Sequence, residues 1–283
     1  MATLRQTFSD IADAIRAKGV SGTMKPIEMA SKIGEIQTGG SQDYGYLTFT
    51  AEEATTLTLK QNGNIAPHKL LKSTDGVNWV KWENPSTNGI VLNAGESVYI
   101  KADEDAMTRT ASSYNIYNKF SSTRIIKCVG DIRSIIKSVV PGDYKYWISN
   151  LFTGCTFLKT APELPATNLV DRCYYDMFNG CTFLTTAPEL PATNLAEGCY
   201  AAMFYGCSSL TTAPSILPAT TLADSCYYDM FSGCSSLTTA PELPATTLAD
   251  SCYYNMFREC RKLWRAPNLP ATTLKPHCYD SMF

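Results

Sequence analysis

The spacing of apolar residues changes character three times along this chain. In the first forty residues Phe8, Ile11 and Ile15 recur at helical spacing, with Thr7 or Ser9 as a cap and Asp10 in the first turn. Gly19 fits the stop. A second helix can begin at Pro26, a favoured first-turn residue, and Met29, Ile33 and Ile36 give it one apolar stripe. The pattern predicts a helical hairpin over residues 1–38. Two such short helices bury too little surface to stand alone, so these six apolar residues are expected to anchor the chain on another body. Gly39-Gly40-Ser41 then reads as a joint.

From there the period becomes two. Leu47–Thr50, Thr56–Leu59, Val77–Trp82, Ile90–Leu92 and Ser97–Lys101 read as strands, separated by turn signals at Asn62-Gly63, Asp75-Gly76 and Asn93-Ala94-Gly95. Short strands with such turns predict an antiparallel β-sandwich-like domain over 42–126. Trp79 and Trp82 lie three apart, hence on opposite faces of a strand. One is expected in the core and the other as an exposed aromatic.

The third regime is a repeat. Cys155, Cys181, Cys207, Cys234 and Cys260 are spaced 26, 26, 27 and 26 residues apart, and Ala-Pro-Glu-Leu-Pro-Ala-Thr recurs between them with few changes. One extra residue at Ser215-Ile216 accounts for the 27. Self-similarity at this period predicts stacked coils. In one copy, Asp224 or Ser225 can cap a short helix whose Cys226, Tyr227, Met230 and Phe231 fall at i, i+1, i+4 and i+5, on one side. The residues between them vary from copy to copy: Tyr175-Asp176, Ala201-Ala202, Tyr228-Asp229, Tyr254-Asn255, Asp280-Ser281. Constancy at four positions and variation at two separate inside from outside. Gly154, Gly180, Gly206 and Gly233 would close each helix. Leu237–Ala240 would form one short strand per coil at ~4.8 Å per layer, ended by the prolines, and Leu243 and Leu248 refill the core. The expected fold is thus multidomain, with an α/β-type solenoid over 127–283 whose first coil, 127–154, is atypical. There Ile132, Ile135 and Ile136 give cover, and Trp147–Phe152 stands where later copies read Cys-Tyr-x-x-Met-Phe.

Composition narrows the chemistry. Charged residues are 18%, the net charge is −2 and there is no basic block, so nucleic acid and anionic lipid are not expected partners. No apolar run is long enough to cross a bilayer. The start, Met1–Asp10, lacks an apolar h-region, which predicts no cleaved secretion signal. Ten of the eleven cysteines fall on two repeat positions, Cys155/181/207/234/260 and Cys173/199/226/252/278, with Cys128 outside. Buried thiols filling a slot of constant size fit that placement; disulfides within or between coils, and metal, are the alternatives. No Cys-x-x-Cys pair occurs and only His68 and His277 are present, so no metal or cofactor is expected. With no Gly-rich phosphate loop, paired-acid motif or nucleophile elbow, no catalytic residue is assigned and the chain is not expected to be an enzyme. Asp171, Glu197, Asp224 and Asp250 recur as caps.

The element Met-Phe-x-Gly-Cys-x-x-Leu-Thr-Thr-Ala-Pro-Glu-Leu-Pro-Ala-Thr, at Met177–Thr193 and Met230–Thr246, resembles the leucine-rich repeats of gut bacterial surface proteins, the BspA-like class. The resemblance covers about 150–283. Asp75–Trp79 and Asn93–Tyr99 look like the β domain that often precedes such repeats. Ile11–Arg16 and Met24–Pro26 are similar to N-terminal segments of phage virion and tail-associated proteins. These resemblances imply binding and adhesion, with no catalytic residues to carry over. The expected protein is a virion structural component, a head or tail fibre or appendage assembled in the host cytoplasm. It would attach to other virion proteins through its N-terminus and reach a host glycan or surface protein through the repeats. A homo-oligomer, by analogy a trimer, is expected. The alternative is a bacterial cell-surface adhesin.

Candidate contact residues are the outward, copy-variable Tyr175, Tyr205, Tyr228 and Tyr254, with the cluster Arg258, Arg261, Lys262, Trp264 and Arg265. Exposed aromatics and arginines are typical interface anchors; a solubilising polar end to the stack is the other reading of the cluster. The sequence stops at Met282-Phe283, mid-repeat, which predicts a partner or a further coil beyond it.

Overall fold

A computed structural model describes residues 45–62, 70–103, 117–135 and 148–283, and Tyr46–Phe283 form one compact unit. Nine strands are assigned in it: β1 Leu47–Ala51, β2 Thr55–Asn62, β3 Leu70–Ser73, β4 Val80–Lys81, β5 Ile90–Leu92, β6 Ser97–Ala102, β7 Tyr117–Ser121, β8 Ile126–Val129 and β9 Leu158–Thr160. They make a six-stranded sheet, β4-β3-β6-β1-β8-β9, and a three-stranded sheet, β5-β2-β7. Alternation of two aims Leu47, Phe49 and Ala51 of β1 and Val98, Ile100 and Ala102 of β6 into the core. Antiparallel pairing sets Leu47 opposite Ile100 and Phe49 opposite Val98.

The strand expected from Val77 is shorter than its alternation suggests. The Asp75 carboxylate accepts hydrogen bonds from the Val77 and Asn78 amides at 2.9 and 2.8 Å and from Asn78 Nδ2 at 2.6 Å. This aspartate-centred turn takes the backbone away from the ladder until Val80. Trp82 is the core tryptophan, 3% exposed, and its Nε1 donates to the Asn88 carbonyl at 2.8 Å. Trp79 lies at the surface with the Lys101 ammonium 4.2 Å from its ring centre.

The helical parts of the expected fold need correction. Among the described residues there is no α-helix, and the fold is β-rich throughout; one 3-10 turn, Ile132–Ile135, is the only helical element. The hairpin expected over 1–38, with Phe8, Ile11, Ile15, Met29, Ile33 and Ile36, falls outside the described residues. In the coils, the stretch expected to be a helix is a ribbon of tight turns. Tyr175, Met177, Asn179 and Cys181 each donate their amide to the carbonyl three residues back, at 3.0–3.2 Å. The alternate amides, those of Arg172, Tyr174, Asp176, Phe178 and Gly180, donate to Glu197, Cys199, Ala201, Met203 and Tyr205 of the next coil at 2.8–3.0 Å. Every fourth residue has positive φ: Arg172, Asp176 and Gly180 at 54°, 54° and 72°, then Gly198, Ala202 and Gly206, then Ser225, Asp229 and Gly233. An α-helix admits none of these.

The ribbon explains why the sequence looks helical. A four-residue period buries i, i+1, i+4 and i+5, the same set that one side of a helix buries. Cys226, Tyr227, Met230 and Phe231 are all at most 1% exposed, and Met177, Met203 and Met256 are at 0%. The strand expected once per coil is reduced in the same way. Only β9 is a full strand, parallel to β8; later coils keep single bridges, such as Thr186 to Thr212 and Thr212 to Thr239. The extra residue of the third coil is absorbed on the outside, where Ile216 bridges Glu242, and the buried columns stay in line.

Stacked rings run the length of the unit. Phe49 meets Phe120 at 4.8 Å and Phe120 meets Phe152 at 5.4 Å. Phe178, Phe204, Phe231, Phe257 and Phe283 then follow at 5.4–5.8 Å, joining sheet and coils in one core. Tyr174, Tyr200, Tyr227, Tyr253 and Tyr279 form a second ladder at 5.6–5.9 Å.

The left-handed positions are testable one by one. Ala202→Gly is expected to raise stability by about 0.5–1 kcal/mol, because relieving αL strain outweighs the added freedom of the unfolded chain. Gly233→Ala is expected to lose more than Gly206→Ala. Its Cβ would lie 3.3 Å from Gly206 Cα, whereas a Cβ at Gly206 meets nothing within 4 Å. Urea midpoints for the three variants check the order.

Candidate functional site

The ribbon sorts each coil into inward and outward columns, so the chemistry of the coils must be read column by column. Inward, the thiols are packing and bonding groups. All eleven cysteines are free and buried. Cys181, Cys207, Cys234 and Cys260 donate S–H to the carbonyls of Phe152, Phe178, Phe204 and Phe231 at 3.1–3.2 Å. Each carbonyl also accepts the amide three residues on, so the thiol occupies its second lone pair. Burial pushes the Cys199 and Cys207 thiols up to about 12. A thiol so placed is a poor nucleophile and a poor metal ligand. Among the described residues no group of three or more His, Cys, Asp or Glu could hold a metal ion, and no helix is long and apolar enough to cross a membrane.

Outward, the predicted contact residues separate into three places. Tyr175, Tyr228 and Tyr254 share one half-buried column, which the buried Ala201, 4% exposed, interrupts. Tyr228 and Tyr254 stack at 4.8 Å with 5° between their planes. Tyr205, 42% exposed, stands in another column, the one that holds Asn179, Ser232 and Arg258 in neighbouring coils. Arg261, Lys262, Trp264 and Arg265 follow Cys260 on the next segment of the coil. There Trp264 is 73% exposed and Arg261 pairs with Glu259 at 2.7 Å.

The structure adds residues that the sequence reading did not single out. Gly198 and Ala201 are the small members of two adjacent columns, between Arg172 and Tyr175 of the preceding coil and Ser225 and Tyr228 of the following one. Together these six line a groove of about 340 Å³. Arg172 lies across Gly198, whose added Cβ would meet Arg172 Cγ at 3.1 Å, and its guanidinium pairs with Glu197 at 2.6 Å. The legible signal was copy comparison: this coil alone has Gly and Ala where its neighbours carry Arg or Ser and Tyr. A second, more apolar groove of about 410 Å³ is framed by Pro162, Leu164, Pro165, Pro188 and Pro191 of two successive coils.

Next to Tyr175 and Tyr228 along the chain, at left-handed positions, stand the half-buried carboxylates Asp176 and Asp229. Burial raises the Asp176 carboxyl above its ordinary range, opposed by a hydrogen bond from Asn179 Nδ2 at 2.8 Å. Burial likewise raises Asp229. The hydroxyls of Tyr200 and Tyr227 are buried without a hydrogen-bond partner in the protein, so these tyrosines serve as rings.

No protein-family model matches this chain, and no curated protein or solved structure matches it.

The buried thiols and Asp176 each yield a prediction. A thiol reagent applied to the native protein is expected to find no fast-reacting cysteine; after unfolding without reductant all eleven thiols should titrate. A smaller number after unfolding would show disulfides. For Asp176, the raised value means that the folded chain holds the proton more tightly than the unfolded one. Its contribution is therefore complete below the ordinary carboxylate range and lost as pH rises through the raised value. Asp176→Asn keeps an acceptor for Asn179 and places at 176 the residue type that already stands at Asn255. It is expected to raise the melting temperature at pH 7 by the equivalent of about 1 kcal/mol or less, given the residue's partial exposure. The gain should vanish towards pH 4, as a pH series of melting curves would register.

Proposed function

We propose that this chain is a non-enzymatic virion structural protein, a head or tail fibre or appendage, that attaches through its N-terminal segment and presents its coils to a host glycan or surface protein. The observation that carries this reading is the division of the coils into invariant buried columns and variable outward ones. Cysteine, tyrosine, methionine and phenylalanine repeat in the four coils from Cys173 to Phe257 and are buried there. The outward pair beside them changes from Tyr-Asp to Ala-Ala to Tyr-Asn. A rigid stack with copy-by-copy surface change suits shallow, repeated contacts, whose strength comes from engaging several at once. The resemblance of the coils to BspA-like repeats favours recognition over catalysis. The resemblance of Ile11–Arg16 and Met24–Pro26 to phage tail-associated segments favours a virion over a bacterial envelope. Oligomerisation, by analogy as a trimer, would multiply the same contacts.

Immunogold electron microscopy with an antibody to the coils, on virions and host cells from one lysate, tests the location. Label at a fixed place on the particles is the expected result. Label spread over the bacterial envelope, with none on virions, would replace this reading by a cell-surface adhesin.

A further inference from the structure

Of the copy-variable columns, the one formed by residues 175, 201, 228, 254 and 280 carries tyrosine in three coils, and Ala201 falls between two of them. Tyr228 and Tyr254 lie face to face at 4.8 Å, the natural rung spacing of the stack. Tyr175 stands two rungs before Tyr228, and between them the chain places Ala201. Two rungs span about 10 Å, so a flat group lying over Ala201 would sit about 5 Å from each neighbouring tyrosine, within the usual range for stacked rings. The backbone there is in register with its neighbours: Asp176 donates to the Ala201 carbonyl at 3.0 Å and Ala202 to the Tyr228 carbonyl at 2.7 Å. The vacancy is therefore one of side chain only. It forms the groove lined by Arg172, Tyr175, Gly198, Ala201, Ser225 and Tyr228.

We infer that this slot binds one pyranose ring of a glycan, clamped between Tyr175 and Tyr228. The inference rests on the recognition role proposed above and names its ligand class and site. The rim decides between a sugar and a protein's aromatic side chain. An aromatic side chain would be best served by an apolar surround, whereas this rim carries the Ser225 hydroxyl and the Arg172–Glu197 pair, whose Nη2 and Oε1 lie 2.6 Å apart. Donors and acceptors side by side at the edge of an aromatic wall match a ring with apolar C–H faces and hydroxyls around its perimeter. The Arg172 stem, laid over Gly198, closes one end of the slot and fixes where that perimeter would meet the guanidinium.

The slot can be filled without disturbing the fold. Ala201→Tyr fills the place between Tyr175 and Tyr228 and is expected to leave the melting temperature unchanged or higher. Saturation-transfer NMR with a panel of methyl hexosides at millimolar concentration, and p-cresol as an aromatic probe, should show at least one hexoside bound by the intact chain. Ala201→Tyr and Tyr228→Ala should each weaken it about tenfold or more, while Val91→Ala, at an exposed position of β5 far from the slot, should not change it. The inference is overturned if no hexoside binds, if hexoside binding survives Ala201→Tyr, or if p-cresol binds in place of the sugars, which would make the slot a receptor for a protein's aromatic residue. Location on the virion is read independently by labelling. Gold on virions with an inert slot would sink only this assignment, and a sugar-binding slot with gold on the bacterial envelope would sink only the virion reading.

Discussion

Adjacent coils are joined by every second backbone amide of the turn ribbon, and this one-way ladder is the constraint on which the rest of the unit depends. The intervening amides close turns within their own coil, so nearly every buried donor in the ribbon is satisfied without helix or extended sheet. The ladder holds each coil in register with the next, and equivalent side chains are forced on top of one another. Only residues that stack well on copies of themselves can then fill the interior. Phenylalanine and tyrosine do so as rings. Cysteine is small enough for its slot, and its thiol reaches the second lone pair of a phenylalanine carbonyl one layer away.

Register has a conformational cost. One residue in four along the ribbon takes positive φ, and most of these are not glycine: Asp176, Ala202, Asp229, Asn255 and Ser281 fill one column. For an L-residue that conformation costs roughly 1–2 kcal/mol, least for Asn and Asp, which are frequent here. The stack tolerates the strain because a coil that relaxed it would lose its hydrogen bonds to both neighbours and misalign its rings. The same column brings carboxylates partly out of water, which raises Asp176 and Asp229 and ties the stability of the stack to pH.

With backbone and interior fixed by self-stacking, the outward side chains are the freedom left to the sequence, and the proposed recognition would rest on them. Removing a side chain from an outward column leaves a gap of defined thickness in a rigid frame. Adding one leaves the frame intact. The pair Gly198 and Ala201 makes such a gap, whereas the cysteine columns, despite their chemical promise, are structural fillers.

The repeat, its buried cysteine, tyrosine, methionine and phenylalanine columns and its variable pairs were legible in the sequence, because identical layers must reuse identical core residues. Alternation predicted that one of Trp79 and Trp82 is core, but only the structure showed that it is Trp82 and that Trp79, half-buried, precedes the strand. The backbone that carries the coils was not legible. Burial at i, i+1, i+4 and i+5 is common to a helix face and a four-residue turn ribbon, and only the left-handed residues between, glycine in some copies and Asp, Asn or Ser in others, told them apart. Nor could spacing along the chain show that Arg172 folds over Gly198, or that these residues line a groove with Tyr175 and Tyr228. Those facts depend on neighbours about 26 residues away in sequence and one rung away in space, and only stacking the coils brings them together.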